Sequence, residues 1–121
     1  MPLMLETPKD CTLWGKCREL MTAAFDEMKA ALEKHPKFPE TLTTIDADVV
    51  DRVLQELQKH NEKNNCSARD ILNEEIFEFI QAVQSGDKVA AAKELAQVIQ
   101  VCLRIFFHLD AYIARYKKES K

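Results

Sequence analysis

The stretch SARDILNEEIFEFIQAVQSGDKVAAAKELAQVIQVCLRIFFHL, residues 67–109, decides how this chain is read. Ser67 with Asp70 three residues later has the form of a capping box, which sets a helix start near Ala68. Ser85-Gly86 closes that helix, because glycine suits the left-handed position past a helix end. Asp87 then caps a further helix of roughly 28 residues, expected to reach about Arg115. So short a turn makes the two an antiparallel hairpin.

Acids sit inside the apolar pattern of this hairpin. Glu75 and Glu78 share one face a turn apart, as do Glu94 and Gln97. Around Glu75 stand Ile71, Leu72, Ile76 and Phe79. A carboxylate within an apolar stripe is costly unless paired, protonated or bound to a metal. Glu78 precedes Gly86 by eight residues and Glu94 follows it by eight, so both stand at similar height. Glu75 and Gln97 are each three residues further out. Three carboxylates and an amide thus converge between adjacent helices, an oxygen set suited to Mg²⁺, with Mn²⁺ as the alternative. The bland counterpart is a solvated acidic face, since Glu-x-x-Glu is common on helices.

Outside the hairpin the chain is also helical. Leu13, Cys17, Leu20, Ala24, Met28 and Ala31 recur at helical spacing, which predicts a first helix from about Thr12 to Glu33. His35-Pro36-Lys37-Phe38-Pro39 is a stiff connector. A second helix is expected from about Asp48 to His60, capped by Thr44 or Asp46 and ended by the polar stretch Asn61 to Asn65. The expectation is a single all-α domain, a bundle of about four helices. Residues 1–10 form an N-terminal extension, 12–60 one helical half and 67–116 the hairpin. Apolar residues from Leu95 to Leu109 cover most of the last helix, which implies burial against a second subunit.

Composition narrows the class. Of 121 residues, 46% are hydrophobic and only two are glycine, which favours long helices over turn-rich sheet. A net charge of −3 argues against general nucleic-acid or anionic-membrane affinity. Residues 1–10 lack the apolar core of a secretory leader. Polar interruptions between Leu95 and Ile113 argue against a membrane span. The four cysteines have no zinc-like spacing and no nucleophile context, so a cytoplasmic location is expected.

From Leu72 to Val98 the motifs Glu75-Ile76-Phe77-Glu78 and Glu94-Leu95-Ala96-Gln97 resemble those of the MazG-like all-α nucleoside triphosphate pyrophosphohydrolases. The resemblance covers about Ser67 to Leu109 and is weak before it. It implies Mg²⁺-dependent hydrolysis of a (d)NTP to the monophosphate and pyrophosphate by a homodimer or homotetramer. It also implies that Glu75, Glu78 and Glu94 are the metal ligands and catalytic acids. Gln97 stands where the family motif has aspartate; its amide oxygen can still ligate a hard cation, with one negative charge fewer. Arg104, two turns beyond Gln97, is a candidate phosphate contact or an ion-pair partner. His35, Lys37 and Lys63 are further substrate-binding candidates, against a reading as solvated linker or surface residues. His108 is a candidate acid–base group or a structural histidine, and Trp14 and Phe38 are base-stacking candidates or core. The competing functions are a nucleotide- or partner-binding module without turnover, favoured by Gln97, and a helical adaptor whose acids face solvent.

Overall fold

The computed structural model describes residues 8–63 and 65–119, with the side chains of 8–17, Leu20 and Glu119 excepted. Five α-helices are present among them: α1 (Pro8–Lys34), α2 (Ala47–Lys63), α3 (Ala68–Gln84), α4 (Lys88–Phe107) and α5 (Leu109–Glu119). No strand occurs among the described residues. The all-α class is the one expected.

Local chemistry fixes the ends of α3. Asp70 N donates to Ser67 Oγ at 3.2 Å and Ser67 N donates to Asp70 Oδ2 at 3.0 Å, so the capping box forms in both directions. At the other end Ser85 is the C-cap and Gly86 adopts φ +81°, a backbone that L side chains resist. Asp87 opens α4 through its side chain, which accepts from Ala90 N at 3.0 Å.

Helices α2 and α3 are the closely packed pair, and their hydrogen bonds give the direction. Asn61, late in α2, reaches Asp70 and Glu74 early in α3. Asp51, early in α2, accepts from Gln81 Nε2 at 2.9 Å, and Ile45 O accepts from Gln84 Nε2 at 2.8 Å. The two helices therefore run antiparallel over their whole length. Among the described residues, Val50 and Leu54 of α2, Ile80 and Ala82 of α3 and Val101 of α4 are the buried apolar side chains.

The described residues divide into two compact units, one within 40–105 and the other comprising 8–39 and 106–119. The first holds α2, α3 and nearly all of α4. In the second, α1 leaves Phe25, Met28 and Leu32 exposed.

Three boundaries differ from the sequence reading. Helix α1 already includes Pro8, ahead of the expected start near Thr12. Helix α2 continues through Asn61, Glu62 and Lys63, because the Asn61 amide is engaged by α3 instead of competing for its own backbone. The expected 28-residue last helix is interrupted at His108, where α5 begins with Tyr112 N donating to His108 O at 3.0 Å. Neither proline nor glycine stands there, so no local signal announced the break.

Candidate metal centre

Glu75 and Glu78 project from one face of α3, and Glu94 comes from α4 after the chain reverses at Gly86. One carboxylate oxygen from each lies within 4.8 Å of the others. The cluster is confined to the unit that holds α2, α3 and most of α4. All three side chains are half-buried. Each acid follows from its register: i, i+3 spacing pairs the two on α3, and equal distance from the turn brings in the third.

Holding these acids together is unfavourable without a cation. Glu75 is raised above its ordinary value first by burial, then by the negative charges of Glu94 and Glu74. Glu78 is raised to about 7, again by burial first and then by Glu75, Glu94 and Glu74. A hydrogen bond between the two lowers Glu75 and raises Glu78. In that bond Glu78, when protonated, is the donor and Glu75 the acceptor. The described ion pairs, Lys59 with Glu56 and His60 with Asp70, do not involve the cluster.

The donor set fits a hard divalent cation. Three hard oxygen donors from carboxylates match the preference of Mg²⁺, which also retains waters. Oxygens on one Mg²⁺ at about 2.1 Å stand roughly 3 to 4 Å apart, so small side-chain rotations close the set. A cation there would replace the proton of Glu78 and remove the repulsion.

The other sequence-derived site candidates have exposed side chains where these are described. Gln97 is exposed on α4, one turn past Glu94. Arg104 is exposed ten residues beyond Glu94, about 15 Å along the axis. Lys63 is exposed at the end of α2. His35 and Lys37 are exposed and belong to the unit of α1 and α5. His108 is exposed at the α4–α5 break, its ring 6.1 Å from that of Tyr112. Phe38 is 86% exposed and so is not a core residue of its unit, whereas the Trp14 side chain lies outside the described residues. Cys102 is exposed on α4 and Cys66 is half-buried; both are free thiols.

Sequence reasoning passed over two residues, Glu74 and Asn61. Glu74 lies one turn before Glu78 on the same face, a spacing that was visible. The Asn61 Nδ2 donates to Glu74 Oε1 at 2.7 Å, a contact across two helices with no signal in local sequence. On the opposite side of α3, a groove of about 920 Å³ is lined by Val49, Val53, Leu57, Arg52, His60 and Arg69; helical register turns Arg69 away from the glutamates.

No family profile, curated protein or solved structure matches the chain. No helix among the described residues is long and apolar enough to cross a membrane.

Proposed function

We propose that this protein is a Mg²⁺-dependent nucleoside triphosphate pyrophosphohydrolase of the MazG-like type, converting a (d)NTP to the monophosphate and pyrophosphate. The observation that carries this reading is the meeting of Glu75, Glu78 and Glu94, two from α3 and one from α4, with an oxygen of each within 4.8 Å of the others. Bound Mg²⁺ (or Mn²⁺) would supply neutralisation of the charge that develops on the phosphoryl oxygens. Glu75, Glu78 and Glu94 would hold it, and one of these carboxylates would take the proton of the water that attacks phosphorus. Gln97 offers an amide oxygen as a further ligand. Arg104 would meet a more distant phosphate, since guanidinium matches phosphate oxygens in pairs. Leu95 and Ile99, 41% and 53% exposed on α4, support assembly of two or four copies through that helix.

A second reading, a nucleotide-binding or protein-interaction module without turnover, draws on Gln97, which leaves the cluster one charge short of the family motif. Pyrophosphate release from a panel of canonical and modified (d)NTPs separates the two. The hydrolase reading expects release that requires Mg²⁺ or Mn²⁺ and disappears in Glu75→Gln. Nucleotide binding without release in the folded protein would favour the module.

A further inference from the structure

The groove lined by α2 and the start of α3 combines an apolar ridge with positive charge. Val49, Val53 and Leu57 recur at i, i+4 and i+8 along α2 and stay half-buried, while Val50 and Leu54 beside them are buried. A row at that spacing is a ridge on which a further helix can pack. The acids of the groove are already matched. Glu56 Oε1 lies 3.8 Å from Lys59 Nζ, and Asp70 Oδ2 lies 3.4 Å from His60 Nε2 and accepts from Ser67 N. Arg52 and Arg69 are exposed, and their guanidinium groups have no ion-pair partner among the described residues. The two arginines stand far apart. Asn61 bonds Asp70 and Glu74, so in this antiparallel pair Arg69 lies level with Asn61 or past it. Nine residues separate Arg52 from Asn61 along α2, about 14 Å of helix.

We infer that this groove docks an acidic amphipathic helix of a partner protein. Apolar residues on one face of that helix meet Val49, Val53 and Leu57, and carboxylates near its two ends meet Arg52 and Arg69. Charge complementarity decides the class of partner. Two cations held apart by an apolar ridge call for a ligand with negative charge at both ends and apolar surface between. A nucleotide carries its charge at one end and its base at the other, so it answers one arginine only. A helix with acids about nine residues apart answers both, each carboxylate matching a guanidinium fork, in the manner of a helix laid in a groove. The inference does not rest on the cation reading of Glu75, Glu78 and Glu94.

Selection of random displayed peptides about 16 residues long, about 24 Å as a helix, on the full chain tests this. Binding of the selected peptides is then followed by fluorescence anisotropy, with circular dichroism to check the helices of each variant. The selected sequences are expected to carry aspartate or glutamate towards both ends and apolar residues three or four apart between them. Arg52→Glu and Arg69→Glu should each weaken their binding about tenfold, and added salt should weaken it in the wild type. Lys88→Glu makes the same charge change on an exposed residue at the start of α4 and should leave binding unchanged. Basic or uncharged selected sequences, no selected sequence at all, or an equal loss in Lys88→Glu overturns the inference. Nucleotide binding that is lost in the Arg52→Glu/Arg69→Glu pair, with no peptide selected, would make the groove a nucleotide site instead. Self-association of the chain that this pair abolishes would make a second copy the occupant, and it too overturns the inference.

Discussion

Replacing Glu78 by glutamine removes the carboxyl on which the cluster's strain falls most heavily. In the folded chain this group is raised from its ordinary 4.5 to about 7, so the folded state retains a proton that the unfolded state releases. The stability it contributes is fully present below the lower value and is lost as pH rises through the upper one. At about 1.36 kcal/mol per pH unit, the full displacement is worth roughly 3 kcal/mol. Glu78 is only half-buried, and screening by water brings the expected effect to about 1 kcal/mol. Asp70, lowered chiefly by its backbone bond to Ser67, acts below this window and does not mask it. The assay is urea unfolding in a chelator at pH 5 and pH 8.5, at matched protein concentration. Wild type should lose about 1 kcal/mol more than Glu78→Gln over that interval. Added Mn²⁺ at pH 8.5 should restore wild type and leave the variant unchanged. Parallel pH dependence of the two proteins in chelator would refute the reasoning.

Other substitutions test the frame that presents the acids. Val50 is 0% exposed, so Val50→Ala should cost about 2 kcal/mol in the same unfolding assay. Ser67→Ala removes the Oγ that caps α3 and should cost about 1 kcal/mol, read as a lower denaturation midpoint. A methyl group added at Gly86 meets nothing within 4 Å, but its φ is +81°; Gly86→Ala should therefore cost about 1 kcal/mol through backbone alone, measured by thermal unfolding.

Much of the hairpin was legible because its determinants are local. Ser67 and Asp70, Gly86 and Asp87 act within three or four residues, and each performs the role that its position indicates. The meeting of Glu78 with Glu94 was also legible, since equal distance from a tight turn fixes equal height. Asn61 shows where this stops. Read alone it is a helix breaker; in the fold its amide bonds two acceptors on another helix and α2 runs on. The interruption at His108 has no proline or glycine to mark it. Arg104 lies on α4 about 15 Å from Glu94 along the axis, a separation that periodicity conceals. His35 and Lys37 fall in the second compact unit, whose division from the first depends on contacts distant in sequence.

The central claim is that Glu75, Glu78 and Glu94 together hold one divalent cation. Crystals of the full chain grown with Mn²⁺, with diffraction recorded above the manganese absorption edge, address it directly. An anomalous peak bounded by all three carboxylates, each with an oxygen about 2.1 Å away, is expected. A map without a peak at that position, or with manganese bound at other residues, would contradict it.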